Sequence, residues 1–439
     1  MKLLLITFLC IINISTVYGE IDINNLSPYV YPPILTPIPD GVKQEIPEEL
    51  GNKKLANMGL VDVTAEPFNA DPTGQKDSTK ALQDAINFAR DSQMVCFFPS
   101  GTYKISDTLV CRAGIHVRSH LKRINYFGNM PCVLMGSTKG KTRPKILLAA
   151  NSLGFNNPEK LKYLIQHILY NIDNKGNVNT DFEQSKQQFN VIFNAMIVNL
   201  DVVIGEGNSG AIGIRMNSAE GSGIQDVTID ATNGYAGLDG AAGNGGSWEN
   251  ITIIGGQIGI MNIDGFSVPT PTMAGITLIN QTKAAIISKY RGSFTAVGLK
   301  IISKISGPLI ILKKGSSPFD NTMNLVDSEI IFETSANENK TVFAFPESNL
   351  YLNNVYVKNA DKIIEHNLAG NKNGWMHIKE FAIGIPAEFR QHKFTAPYYN
   401  NGEKISDKYE SIEMDKIPPE NLCSKHLWDN NFPTWETDG

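Results

Sequence analysis

Cysteine is scarce, with five residues among 439. Their spacing fits no zinc pattern and the seven histidines are scattered singly, so no metal centre is expected from the sequence. Tryptophan is scarcer still at four residues, and the aromatics stand alone rather than in the stripes that a purely glycan-binding solenoid would display. Charge of one sign is also lacking. A formal net charge of −5 argues against nucleic acid or another broadly polyanionic partner. Beyond the N-terminus no apolar run is long enough to span a bilayer. Helical periodicity is confined to one stretch, where Ala81, Leu82, Ala85, Ile86 and Ala89 recur at helical spacing.

What the chain has in quantity is short apolar–polar–apolar triplets. Asp226-Val-Thr-Ile, Asn250-Ile-Thr-Ile and Gly275-Ile-Thr-Leu each place a small or polar residue before the triplet. The phrase extends outward to Leu200-Asp-Val, Leu299-Lys-Ile, the 326–331 segment and Val355-Tyr-Val. Successive heads lie roughly 23 to 29 residues apart, a period typical of stacked coils. A second apolar patch follows within each period: Ile212-Gly-Ile, Ile258-Gly-Ile, Ala285-Ile-Ile and Leu309-Ile-Ile. Two strands, a turn and a longer loop per period predict an all-β solenoid, a single-stranded parallel β-helix.

The termini differ in character. Residues 1–19 read as a secretory signal peptide: Lys2, an apolar run from Leu3 to Ile12, and a small-residue exit at Gly19. The protein is therefore expected to be secreted, extracellular or periplasmic, without a membrane span. Residues 20–56 form a proline-rich arm, residues 57–385 the β-helix, and residues 386–439 an irregular tail in which the repeat fades. Removing Cys10 with the signal leaves Cys96, Cys111, Cys132 and Cys423, enough for one or two disulfides in an oxidising compartment, with the pairing open. Ser152 to Gln188 reads as a long polar excursion from the coils.

Asn69-Ala-Asp-Pro-Thr-Gly74 is a turn cluster, and Asp77-Ser-Thr79 offers helix caps. An amphipathic helix here would cover the open hydrophobic end of the solenoid. Together with Phe98-Pro-Ser-Gly-Thr-Tyr103, these residues resemble the opening motif of the pectate lyase superfamily. That resemblance implies a right-handed parallel β-helix with an N-terminal capping helix, on a scaffold that hosts polysaccharide lyases, glycoside hydrolases and phage tailspikes. A narrower stretch, Gly210–Arg215, Gly223–Ile229 and Gly245–Gly256, is similar to the first β-helix of the family 55 exo-β-1,3-glucanases. Their catalytic acid belongs to a second β-helix, so that glutamate has no counterpart among these residues.

Carboxylates concentrate in the central coils. Glycoside hydrolysis needs one carboxylic acid to protonate the leaving oxygen and one carboxylate to activate water or attack carbon. Glu220, Asp230 and Asp239, from consecutive coils, are the candidate catalytic set, with glycines around Asp239 allowing close approach of a sugar. Arg215, Trp248, Asp264 and Arg291 are the candidate substrate-binding residues. Asp226 and Asn250 hold equivalent places and are expected to form a structural polar ladder. The expected partner is a polysaccharide or oligosaccharide and the leading activity is a glycoside hydrolase needing no cofactor. The alternative is a polysaccharide lyase, in which Ca²⁺ held by Asp226, Asp230 and Asp239 would neutralise a uronate and Arg215 or Arg291 would act as base.

Overall fold

Many short apolar strands, each with its partner one period away, need parallel walls, and the computed structural model provides two. It describes residues 50–118, 124–127, 131–172, 178–179, 192–241, 245–262, 272–289, 293–313, 322–333, 339–344, 349–365, 368–383, 387–389, 392–394, 399–400, 403–404 and 408–427. Among the described residues one wall is a sheet of 18 strands and the other a sheet of 12. In the first, Ile229 pairs with Ile253, Ile253 with Leu278, Leu278 with Ile301, Ile301 with Ile330 and Ile330 with Val357. Each of these side chains is buried. The second wall runs Ile214, Leu238, Ile260, Ile286, Ile310 and Phe343 in the same manner. Both columns face one shared core, so each turn of chain buries its apolar residues against the turns before and after. Parallel strands joined by such connections coil right-handedly.

The small or polar residue heading each triplet is a backbone corner. Asn199, Asp226, Asn250, Gly275, Gly298, Asp327 and Asn354 all have φ between 48° and 70°. This left-handed region strains most L-residues and is tolerated by Asn, Asp and Gly. The residues that follow, Leu200, Val227, Ile251, Ile276, Leu299, Ser328 and Val355, turn into the core. Side chains at the corners join one coil to the next. The Asn250 amide donates to Asp226 at 2.6 Å, which is the expected ladder, and the Asn354 amide donates to Asp327 at 2.5 Å. Asn199 donates to the Gly136 and Ser137 carbonyls.

Two corners are glycine for a further reason. A Cβ at Gly275 would run into Leu427, and one at Gly298 into the Cys423 carbonyl. The segment ending at Leu427 lies across the corner column there. It is fastened by Lys425 and His426 to Asp327, at 2.8 and 2.9 Å. Burial pushes the Cys423 thiol up to about 11.

The first coil carries the helix Thr79–Asp91 where later coils carry a strand of the second sheet. Leu82, Ala85, Ile86 and Ala89 enter the core from it. Asp77 accepts from the Thr79 amide at 2.8 Å. Asp71 accepts from the backbones of Lys76, Thr73 and Gln75 and from the Thr73 hydroxyl. These bonds, led by that of Lys76, hold its carboxyl well below the usual carboxylate range. Both aspartates serve the turn and cap.

Three expectations need amendment or fall elsewhere. The stretch read as an excursion contains the strand Lys162–Ile172, paired in parallel with Leu109–Arg118 and with Ala211–Asn217. Its periodicity is hidden because Leu164 and Ile165 both enter the core, and a register irregularity follows where Arg112 and Gly114 pair with Ile168 and Leu169. The tail read as irregular supplies the strand Lys408–Met414, which pairs antiparallel with Trp375–Ile383, itself antiparallel to Leu350–Lys358. Reversing direction ends the parallel repeat, so period-reading loses the chain there. The stretch read as a signal peptide and most of the proline-rich arm lie outside the described residues.

Cys111 and Cys132 form a disulfide, with Cα atoms 5.7 Å apart, which resolves the pairing; Cys96 and Cys423 are free. His167 is wholly buried beside them. Burial pushes its imidazole down to about 4, against a smaller opposing pull from the backbones of Arg215 and Cys132.

Two measurements check the corner column. Asn250→Ala should cost about 1–3 kcal/mol through left-handed strain and the lost bond to Asp226, and Asn250→Gly distinctly less, as read by chemical denaturation. For Asp327, burial acts to raise the carboxyl, but hydrogen bonds from Lys425, Asn354 and His426 outweigh it and the net shift is downward. A depressed folded-state value means stability present above the unfolded value of about 4 and lost as pH falls through the folded one. The difference in melting temperature between wild type and Asp327→Asn should therefore be full at neutral pH and close on acidification below about pH 4.

Candidate functional site

The second sheet has two buried faces. Inward residues join the main core, while Ile212, Ala236, Ile258, Met261, Ala284 and Ile287 form a separate cluster with Tyr163 and Tyr235 packed against it. At one end of this outer cluster the apolar columns give way to charge. Arg215 pairs across the ladder with Asp239 above and Gln166 below. Alternation within Ala211–Asn217 explains the placement, since Ile214 and Met216 point to the core and Arg215 between them points out.

Tyr163 links the two charges. Its hydroxyl donates to Asp239 Oδ2 at 2.8 Å and accepts from Arg215 Nη1 at 2.9 Å. Arg215 Nη1 and Asp239 Oδ2 are themselves 3.8 Å apart, so the closer coupling runs through the phenol. The guanidinium also lies over the Tyr163 ring, 5.1 Å from its centre. Arg215 and Asp239 side chains are only 1% and 6% exposed. Charges this deeply buried persist because they are paired and hydrogen-bonded. Gly240, with φ of 118°, follows Asp239; a side chain there would press on the Met216 carbonyl.

The other residues singled out in the sequence lie in different surroundings. Glu220 is exposed in the turn three residues beyond Asn217, and its carbonyl accepts from the Asn194 amide at 3.1 Å. It follows the strand end where Asn217 pairs with Ala241, just past Asp239. Asp230 closes the strand Gly223–Asp230 on the first sheet, and its carboxylate accepts from the Thr232 amide at 3.0 Å. Glu220 and Asp230 thus flank opposite ends of one strand, a separation on the order of 20 Å at about 3.3 Å per residue. Asp230 does pair with Ile254, replacing an apolar neighbour in its column as read from the sequence.

Trp248 is 1% exposed within the main core, so its ring packs against the coils and is not presented to a sugar. Asp264 and Arg291 lie outside the described residues. The Ca²⁺ set expected for a lyase is not assembled: Asp226 is bound to Asn250 at a corner of the first sheet, while Asp239 faces Arg215 on the second. The physical reason is that the outer faces of the two walls of a coil point away from each other, so nearness in sequence does not become nearness in space. Tyr163, the residue that completes the cluster, was missed. It stands in register with Ile212, three pairings before Ile258 in the same column, and only that column alignment could have found it.

The chain is thus a parallel β-helix carrying a buried Arg–Tyr–Asp cluster on the outer face of one wall. The chain belongs to the family described as rhamnogalacturonase A/epimerase, pectate lyase-like, whose model matches residues 63–307. That span holds the capping helix, the whole cluster and the described candidate carboxylates. The fold is accordingly the right-handed parallel β-helix with an N-terminal capping helix. No curated protein matches the chain. Among solved structures, a Geobacillus virus E2 protein is similar at 12% identity over 84% of this chain and 80% of its own, with a TM-score of 0.34. The catalytic unit of a GH87 α-1,3-glucanase from Streptomyces thermodiastaticus is similar at 15% identity and a TM-score of 0.32. It is matched over 70% of this chain and 60% of its own length. The A-module of an Azotobacter vinelandii mannuronan C-5 epimerase is similar at 12% identity over 69% of this chain and 97% of its own, with a TM-score of 0.30. No helix among the described residues is long and apolar enough to cross a membrane.

Tyr163→Phe removes the hydroxyl that satisfies both charges and leaves buried polar atoms short of a partner. A loss of about 1–3 kcal/mol in denaturant unfolding, with an unchanged dependence on denaturant, is the expected result.

Proposed function

We propose that this protein is a secreted polysaccharide-degrading glycoside hydrolase in which Asp239 is the proton-transferring carboxylate. The observation carrying the reading is the hydrogen-bonded set of Arg215, Tyr163 and Asp239, buried within the span matched by the family. A largely buried carboxyl group, fixed by a phenol and flanked by a guanidinium, holds one orientation and one protonation path, as general acid–base chemistry requires. Glu220, exposed at the corner that follows the same strand ends, is the proposed second carboxylate. Asp230 is the less suited partner because it is tied to its own turn at the far end of the coil. Arg215 orients Asp239 through the Tyr163 phenol.

The competing chemistry is β-elimination from a uronic glycan, with the Tyr163 phenol beside Arg215 as the base. The guanidinium would favour a phenolate there. The bond from the phenol to Asp239 works against it, because the carboxylate keeps the proton on the phenol. That balance supports hydrolysis.

The test is incubation of the purified protein with a panel of neutral and uronic polysaccharides, following reducing-end release together with the ultraviolet absorbance of unsaturated uronates. New reducing ends without absorbance are expected, and Asp239→Asn should lower turnover by about 10²–10⁴-fold while circular dichroism still reports the β-helix. Rising absorbance would replace hydrolysis by elimination. An unaltered rate in Asp239→Asn would remove that residue from the mechanism, and no product from any glycan would overturn the reading.

A further inference from the structure

Cys111, Cys132 and His167 are 21 and 35 positions apart along the chain, yet the coil brings their ligand atoms within 4.8 Å of one another. Cys111 and His167 are direct partners across the parallel ladder of the second sheet. Cys132 approaches from the start of the facing wall, immediately before the strand Val133–Gly136. All three are buried, at 0%, 2% and 0% exposure. Arg215 pairs with Gln166, so the next residue, Met216, falls in the register position over His167, and it belongs to the same core as the two cysteines.

An imidazole in that setting needs a reason. The ring nitrogens of His167 face only the backbones of Arg215 and Cys132, neither of which makes a well-formed hydrogen bond to them, and a buried polar group so weakly satisfied is costly. Two sulfurs and a ring nitrogen converging in a dry core make a donor set for a soft cation. Three such ligands around one ion, at about 2.3 Å for sulfur and 2.0 Å for nitrogen, would lie about 4 Å from one another. The two sulfurs, bonded in the disulfide, part on reduction, and the His167 ring already lies within 4.8 Å of both.

We propose that the dithiol form of Cys111 and Cys132, together with His167, binds one thiophilic d¹⁰ cation, Cu(I) or Zn(II). The disulfide and the metal-bound form are then alternative states of one site. Passing between them takes a dithiol reductant. Its first thiolate displaces one cysteine sulfur to give a mixed disulfide, and its second sulfur displaces the other. Two cysteine thiols and a cyclic disulfide of the reductant result, both electrons coming from the reductant. On binding the ion each thiol releases a proton, while His167 donates a neutral nitrogen. Three protein ligands with a thioether stacked above suit Cu(I); cancellation of two thiolate charges in an apolar core suits Zn(II).

The experiment uses the full-length mature protein in a Cys423→Ser background, which removes the partly accessible thiol. After reduction and removal of the reductant without oxygen, it is titrated with Cu(I) against bicinchoninate and, separately, with Zn(II) against a chromophoric chelator. One equivalent of one ion is expected for the reduced protein and none for the oxidised. His167→Gln and Cys132→Ser should each weaken binding by about 100-fold or more. If either variant fails to fold by circular dichroism, the reduced protein itself decides: the bound ion should slow alkylation of Cys111 and Cys132 by iodoacetamide, read by mass spectrometry, at least tenfold. No uptake of either ion, undiminished uptake by folded His167→Gln, or alkylation indifferent to the ion would each overturn the proposal.

Discussion

The structure depends on one constraint, the stacking of parallel backbone at a fixed spacing of about 4.8 Å. Every coil must present its polar backbone groups to the coil below and above and turn its apolar side chains inward at the same height. The left-handed corner makes this repeatable. Between Asn199 and Asn354 the chain bends at the same place in each turn, and the residue after the bend enters the core. Because corner residues stack, their side chains find one another, as Asn250 finds Asp226 and Asn354 finds Asp327. Hydrogen bonding along the column and burial across it are products of one geometry.

This explains what was legible in the sequence. A corner recurring every coil leaves Asn, Asp or Gly before an apolar triplet, and that mark survives in single-letter form at residues 226, 250 and 275. The capping helix was legible because its period differs from everything around it. Lys162–Ile172 was not, since Leu164 and Ile165 enter the core together and break the alternation. The antiparallel strands Trp375–Ile383 and Lys408–Met414 were hidden because reversal abolishes the period that served as the guide. At the site, Asp239 and Arg215 were visible as unusual residues among glycines and apolar neighbours. Their companion Tyr163 was not, because residues 76 positions apart meet only once every intervening turn has been counted.

The outer face of the second sheet illustrates how a solenoid holds chemistry. Its columns are apolar for most of their length, Ile212, Ala236, Ile258 and Ala284 among them, and then interrupted by Arg215 and Asp239. Each charge is tolerated because the ladder sets the other at the neighbouring position and Tyr163 occupies the space between. The same rule, that distant residues become neighbours when they share a column, places Cys111 against His167 on the inner face. Polar groups in this fold are thus governed by height and face rather than by sequence proximity.

The segment reaching Leu427 bears on how the molecule comes apart. A solenoid whose turns touch only their neighbours can fray from its end one turn at a time. Here Cys423 and Leu427 rest in the hollows left by Gly298 and Gly275, and Lys425 and His426 grip Asp327. The last turns are thereby bracketed between a buried wall and a brace anchored on earlier ones. Peeling the C-terminal end first requires lifting that brace, so the turns beneath it would resist a pulling force together and yield as one mechanical unit.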